Sequence, residues 1–268
     1  MTFIQDITLG QYYPIDSFIH RLDPRTKMLC IISAMIALFA AHHVFELGIS
    51  FALLLSVIFI SRIPSKVILR NLKPFFLLFV LSLVFHVFLS NEGELLVTVP
   101  VLGASITKEG LYRGLIYSVR LAELVLLAAT LTLTTSPIEI TDALDRFFLP
   151  LKKLGLPTHE FVLMMTLSLR FIPTLISEAD KLQKAQISRG ATFEGNIVQR
   201  VKSVIPLIVP LFISVFRRAD ELAMAMDSRC YIGGKNRTSF KNLEYKLADY
   251  LVMLGMIIYV VLFFAIRK

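Results

Sequence analysis

Residues 74–90 read PFFLLFVLSLVFHVFLS, seventeen consecutive residues without a formal charge. A helix needs about 20 apolar residues to cross the hydrocarbon core of a bilayer. The chain around this segment is also apolar, because 56% of its 268 residues are hydrophobic and its mean hydropathy is +0.71. A soluble domain rarely reaches this composition. The segment therefore predicts an integral membrane protein.

Further apolar runs in the chain share this character and predict additional membrane spans. They are Met28–Ala41, Ile49–Ile60, Gly114–Thr135 and Leu251–Ile266. Together with residues 74–90, they predict an all-α, multi-pass protein of the cell membrane with about five transmembrane helices. The first 27 residues are polar and lack the pattern of a signal peptide, so a cleaved leader is not expected.

Basic residues are concentrated on one side of these spans. The segments 21–27 and 61–73 contain seven Lys and Arg residues, whereas the loops 42–48 and 91–107 contain none. Lys and Arg are enriched in short cytoplasmic loops. We therefore expect a cytosolic N-terminus, and we interpret the net charge of +8 as orientation bias rather than as a nucleic-acid-binding signal.

Residues 136–246 then begin on the cytosolic side and predict three helices. The first begins at the capping sequence Ser136-Pro137-Ile138-Glu139 and extends to about Lys153. Two long helices follow, over His159–Arg189 and about Asn196–Arg229. Both are apolar in their first halves and charged in their final turns, so we expect them to lie partly in the membrane and project into the cytosol. A hairpin of two further spans is the alternative.

The two long helices end in related sequences. Residues 178–190 read EADKLQKAQISRG, residues 218–230 read RADELAMAMDSRC, and six of the thirteen positions are identical. The shared residues include Asp180 and Asp220, and an Arg near each helix end, where the helix carries a partial negative charge. Two similar helix ends predict two similar docking sites on another molecule. The alternative is that each Arg only caps its own helix in water.

These features together resemble a known family. The segment Asp16–Lys27, DSFIHRLDPRTK, leads into the first apolar run, and the two Arg-ended helices follow. The chain is similar, over nearly its whole length, to the T component of energy-coupling-factor transporters, the EcfT/CbiQ family. That family has an Ala-Arg-Gly motif at the end of each of two coupling helices. Here the two motifs read Ser188-Arg189-Gly190 and Ser228-Arg229-Cys230.

The resemblance implies a coupling subunit of an ABC-type importer, without catalytic activity or a cofactor of its own. A membrane S component would bind a vitamin or other micronutrient, and two ATP-binding-cassette ATPases would hydrolyse ATP. The two coupling helices would cross and would dock on the ATPases through residues 188–190 and 228–230, with Asp180 and Asp220 as supporting positions. The difference between Gly190 and Cys230 favours two non-identical ATPases.

The same resemblance divides the chain into three parts. Residues 1–135 would form four transmembrane helices, residues 136–246 the coupling region, and residues 247–268 a last transmembrane helix. The lipid bilayer is then a partner of this chain, and nucleic acid is not.

Arg120 and Glu123 are charged residues inside the fourth predicted span. They are three positions apart and therefore share one helix face. Charged residues within a span are candidates for a functional site. A mutually satisfied structural pair is the alternative.

No motif in the sequence predicts catalysis or a metal site. His159-Glu160 begins like a zinc-protease helix, but Leu163 stands where the second His is required. The phosphate-binding pattern G-x-x-x-x-G-K-[ST] does not occur, so the chain is not expected to bind ATP. The competing hypothesis is a stand-alone membrane enzyme whose Arg189 and Arg229 bind a phosphate. It requires a nucleophile, base or metal cluster, and the sequence contains none near either Arg.

Overall fold

The computed structural model describes residues 12–41, 43–89, 95–99, 104–152, 158–191, 196–233 and 244–266. These residues are helical apart from connecting turns and one short hairpin, which confirms the all-α prediction. The helices are α1 Pro24–Phe39, α2 Val44–Ser61, α3 Ser65–Leu72, α4 Phe76–Leu89, α5 Lys108–Thr134, α6 Pro137–Lys152, α7 Thr158–Ser188, α8 Ile197–Asp227 and α9 Leu247–Ile266, with a 3-10 turn at Lys73–Phe75.

The described residues fall into two compact units. One contains the residues up to Ile140 together with α9, and we call it the membrane unit. The other begins at Thr141 and contains α7 and α8, and we call it the coupling-helix unit. Helix α6 begins at the boundary with the predicted capping box. The Ser136 N–H donates to Glu139 Oε2 at 3.1 Å, and the Glu139 N–H donates to Ser136 Oγ at 3.3 Å.

Two buried charged side chains join helix ends in the membrane unit. The Lys27 ammonium, near the start of α1, donates to the carbonyl of Thr134 at the end of α5 at 3.0 Å. The Asp249 carboxylate, in the first turn of α9, accepts from the N–H of Asp23 at 2.9 Å and from the N–H of Lys246 at 2.8 Å. Helices α1 and α9 therefore run in the same direction and α5 runs opposite to them.

The core of the membrane unit lies where α1, α2, α5 and α9 meet. Leu38, Leu54 and Phe263 are almost completely buried there. By contrast, α4 and α9 expose large apolar side chains, such as Leu77 and Leu251, at 75% and 67% of their surface. An apolar face this extensive suits lipid rather than water. The membrane unit is thus built with a packed centre and a lipid-facing exterior.

Five helical segments of the described chain are long and apolar enough to cross a membrane, as predicted in number. They are Val44–Ser61, Ser65–Phe88, Lys108–Thr134, Thr158–Ser188 and Leu247–Ala265. The set differs from the expectation at two places. Helix α1 has only 16 residues, about 24 Å of helix, because a turn follows Phe39. Helix α7 is a candidate span because its apolar first half continues as one helix into its partly charged second half. The alternative of a further span at α7 therefore stays open.

A β-hairpin, which the sequence analysis did not predict, connects α4 to α5. Strand β1, Leu95–Val99, pairs antiparallel with β2, Ala104–Thr107. The Thr107 hydroxyl then accepts from the N–H of Gly110 at 3.1 Å and caps α5. The hairpin lies in the loop 91–107, which contains no Lys or Arg, and it leaves the helical architecture unchanged.

The buried Asp249 yields a prediction about stability. Asp249→Ala should lower the free energy of unfolding by about 2–4 kcal/mol, because the buried N–H of Asp23 and the part-buried N–H of Lys246 lose a charged acceptor. Asp16→Ala is the matched control, since the Asp16–Arg21 ion pair is more than 70% exposed and its loss should change stability far less than the loss of Asp249. Detergent unfolding followed by helical circular dichroism measures both. Equal losses would contradict the assigned role of Asp249.

Candidate functional site: two Arg-bearing helix ends

Helices α7 and α8 each contain 31 residues, about 46 Å of helix. Their bounds agree with the predicted helices to within two residues. Pro173 lies inside α7, and Pro206 and Pro210 lie inside α8, without ending either helix. One predicted Ser-Arg motif lies at the end of each helix. Ser188 is the last helical residue of α7, and Ser228 directly follows the last helical residue of α8.

Both helices end with the same hydrogen-bond pattern. The N–H groups of residues 189 and 190 each donate to the carbonyl three positions earlier, and the N–H of residue 191 donates to the carbonyl five positions earlier. Residues 229–231 repeat this pattern. Gly190 and Cys230 adopt left-handed φ angles of 87° and 55°. This is the Schellman closure, in which the chain turns sharply away from the helix axis. Each Arg is therefore the last residue before the turn.

Arg189 and Arg229 are both exposed, and neither has an ion-pair partner or a hydrogen bond to its own helix through its guanidinium within the described chain. The neighbouring hydroxyls are already used, since Ser188 donates to the Lys184 carbonyl and Ser228 to the Ala225 carbonyl, each at 3.0 Å. If either Arg stabilises its own helix, it does so through its charge near the C-terminus rather than through a side-chain hydrogen bond. The two guanidinium groups are available to another molecule.

An ion pair joins the two helices where their sequence similarity begins. Arg218 Nε and Nη2 donate to Glu178 Oε2 at 3.2 and 3.0 Å, and the Ser214 hydroxyl also donates to Glu178. Glu178 and Arg218 are the first residues of the two thirteen-residue copies. The sequence analysis missed this pair, although the opposite charges at equivalent positions were the available signal.

The two Arg-bearing ends extend to opposite sides of this ion pair. Leu222 and Met226, which follow Arg218 in α8, line the same cavity as Phe171 and Leu175, which precede Glu178 in α7. The helices are therefore antiparallel at this contact. Arg189 and Arg229 each lie eleven residues beyond the ion pair, or about 16 Å along the helix.

The supporting positions and the intramembrane residues have other surroundings. Asp180 is half-buried and Asp220 exposed, and neither forms an ion pair with any described residue.

Arg120 and Glu123 do not form the mutual pair that was the structural alternative. Glu123, 1% exposed, accepts from the Ser50 hydroxyl of α2 at 2.7 Å, whereas the Arg120 guanidinium lies 5.0 Å from the Tyr117 ring centroid. The reason is that Glu123 faces α2, while Arg120 folds back over its own helix.

Arg189 and Arg229 lie on opposite sides of the Glu178–Arg218 ion pair, so they do not converge on one phosphate as the enzyme hypothesis requires. Among the residues that the structure describes, no three His, Cys, Asp or Glu side chains are grouped to hold a metal ion. What the two ends share is an exposed, rigidly terminated cation.

Comparisons with known proteins agree on one family. A family model described as "CbiQ: Cobalt transport protein" matches residues 16–240. Three relatives bear the name "Energy-coupling factor transporter transmembrane protein EcfT". That of Heliobacterium modesticaldum is 49% identical over 93% of both chains, and that of Acidaminococcus fermentans 45% over 98% of both. That of Bacillus subtilis is 39% identical over 98% of this chain and 99% of its own.

The two helix ends differ in backbone strain, which yields a reciprocal prediction. Cys230→Gly should stabilise the end of α8 by about 1 kcal/mol, because a left-handed φ is costly for a residue with a Cβ. Gly190→Ala should destabilise the end of α7 by a similar amount. A Cβ at Gly190 would meet no atom within 4 Å, so only the backbone angle is at issue.

Hydrogen exchange of the amides at Ala191 and Tyr231 measures both effects, since these N–H groups close the two turns. Gly48→Ala is the control, because Gly48 lies within α2 with open space around it and should gain helix stability instead. Unchanged exchange in both variants would contradict the strain argument.

Proposed function

Because the chain belongs to the CbiQ/EcfT family of energy-coupling factor transporter transmembrane proteins, we propose that it couples two ATP-binding-cassette ATPases to a substrate-binding S component. In this proposal the chain itself catalyses no reaction. Residues 188–190 dock on one ATPase and residues 228–230 on the other. The observation that carries the proposal is the pair of identically closed, exposed Arg ends on opposite sides of one ion pair.

The chemistry of the two ends supports docking into an acidic groove. An Arg guanidinium has five donors in a rigid fork and keeps its charge when it is buried. Each charge-assisted hydrogen bond to a carboxylate contributes about 1.5–3 kcal/mol. The small Ser residues at 188 and 228 bond to their own helices, so they leave room around each Arg for a close approach.

The two long helices support a mechanical role. When the ATPases move on binding ATP, each docked end moves with its ATPase, and the helices pivot at the Glu178–Arg218 contact. Helix α8 also exposes an apolar stripe at helical spacing, Ile205, Val209, Phe212 and Phe216. We assign this stripe to the S component, which in this proposal selects a vitamin or other micronutrient.

The membrane unit supports an orientation with a cytosolic N-terminus. The buried contacts of Lys27 and Asp249 bring the starts of α1 and α9 and the end of α5 to one end of this unit. The basic segment 21–27 leads into α1, and the basic segment 61–73 follows the end of α2. Ile60, at the end of α2, lines the same cavity as Lys27 and Thr134, so both basic segments lie near this end. We therefore propose that this basic end faces the cytosol, and that residues 1–135, 136–246 and 247–268 act as the predicted membrane, coupling and final membrane segments.

Removal of the two guanidinium groups tests the docking. Arg189→Ala and Arg229→Ala should each weaken ATPase binding by about 10- to 100-fold, which corresponds to one charge-assisted contact. The double variant should lose copurifying ATPases and uptake. Lys184→Ala is the control, because Lys184 is an exposed cation in α7 that does not lie at the end of the helix. A double variant that assembles and transports normally would overturn the docking proposal.

A charge exchange at the helix contact tests the pivot. Glu178→Arg places two cations together and should uncouple ATP hydrolysis from uptake, while the docking ends stay intact. The exchange Glu178→Arg with Arg218→Glu restores opposite charges and should recover coupling. The ratio of ATP hydrolysed to substrate imported, measured in proteoliposomes, separates these outcomes. Normal coupling in the single variant, or no recovery in the exchange, would refute the pivot.

A further inference from the structure

The membrane unit contains an apolar cavity near its basic end. The cavity has a volume of about 230 Å³ and lies between α1, α2, α5 and α9. Aliphatic side chains form most of its wall, including Ala34, Leu53, Val57, Leu127 and Met256. The cavity extends from Lys27 and Thr134 at the joined ends to Ala34, Leu53 and Met256 near the middle of their helices.

The polar groups on the wall of this cavity are already hydrogen-bonded. The hydroxyls of Ser56, Thr130 and Thr134 each donate to a carbonyl of their own helix, at 2.6–2.7 Å. The Lys27 ammonium donates to the carbonyls of His20 and Thr134 at 3.1 and 3.0 Å. A wall whose hydroxyls and ammonium are engaged in this way favours a hydrocarbon occupant over a polar one.

A cationic rim adjoins the apolar cavity. Phe18 and Ile60 line both this cavity and a neighbouring depression that contains Asp16, Arg21 and Arg62. The hydrogen bond and charge of Arg21 hold the pKa of Asp16 below its ordinary value, and Arg62 contributes in the same direction. Arg21 is thus neutralised by Asp16, and Arg62 supplies the excess positive charge.

Arg62 is held at this rim by the backbone. It caps the C-terminus of α2 in a left-handed conformation with φ 57°, it is exposed, and it forms no ion pair with any described residue. The short helix α3 follows and exposes Lys66 and Arg70, as expected for a segment at the level of lipid headgroups. The rim therefore lies where a negatively charged headgroup meets the membrane surface.

We propose that the cavity and its rim bind one anionic phospholipid, with an acyl chain in the cavity and the phosphate at Arg62. The apolar wall accounts for the chain, and the unpaired Arg62 accounts for the preference for a net negative headgroup. A zwitterionic phospholipid offers the same hydrocarbon but no net charge, so it binds more weakly.

The cavity can be filled from its own wall. Gly255 of α9 lines the cavity, and a Cβ added there would meet no atom within 4 Å. Because Gly255 lines the cavity and has room for a side chain, we expect Gly255→Leu to narrow the space for an acyl chain. Gly48 of α2 also has no atom within 4 Å of an added Cβ but does not line the cavity, so Gly48→Leu is a matched control.

Native mass spectrometry of the delipidated full-length chain tests the proposal. The chain is titrated with phosphatidylglycerol and, separately, with phosphatidylcholine. We expect one tightly bound phosphatidylglycerol per wild-type chain. Arg62→Gln should weaken phosphatidylglycerol binding about fivefold and leave phosphatidylcholine binding unchanged. Gly255→Leu should reduce the binding of both lipids, whereas Gly48→Leu and Lys108→Gln, which removes an exposed charge at the start of α5, should behave as wild type.

Three results would overturn the proposal. The first is equal affinity of the wild-type chain for the two lipids. The second is a Gly255→Leu variant that is folded by circular dichroism and still binds phosphatidylglycerol as wild type does. The third, assignment of the cavity to a partner helix, is read from the assembled complex. If Gly255→Leu does not fold, the Arg62→Gln comparison decides alone, because Arg62 is on the surface. Absence of the lipid from the assembled complex, with dissociation of a subunit by Gly255→Leu, would assign the cavity to a partner helix instead.

Discussion

The membrane unit depends on two buried charges at one end of its helices. Helices in lipid gain no hydrophobic stabilisation from one another, so packing and polar contacts must fix their arrangement. Lys27 and Asp249 supply such contacts by bonding to the backbone of neighbouring segments at 2.9–3.0 Å. Because an unpaired buried donor or acceptor is costly, each contact strongly favours one register of the helices that it joins. Lys27 and Thr134, which form one of these contacts, also line the apolar cavity.

The coupling-helix unit is organised by a different kind of interaction. The side chains of Arg218 and Glu178 are 40% and 23% exposed, so their ion pair contributes only about 1 kcal/mol to stability. Its importance is geometric, since it fixes where two long helices touch and therefore how far each Arg end extends. A contact of this strength can break and re-form at little cost, as the proposed pivot requires.

The sequence predicted the features that depend on local chemistry. The start of α6 at Ser136 and the stop at Gly190 follow from capping rules that act within one turn, and the apolar runs follow from composition. The features it did not predict depend on which segments meet in space. Glu123 bonds to Ser50, 73 positions away, rather than to Arg120, and the Glu178–Arg218 pair joins residues 40 positions apart. Spacing along a helix contains no information about such partners.

The internal similarity of the chain itself follows from the geometry of the helix contact. At the antiparallel contact of α7 and α8, the first positions of the two copies lie together. Identical charges there would repel, and the two positions carry opposite charges, Glu178 in one copy and Arg218 in the other. Eleven residues further on, the equivalent positions are far apart and carry the same residue, Arg189 and Arg229. The two copies therefore carry opposite charges where the helices meet and the same exposed residue, Arg, at the end of each helix.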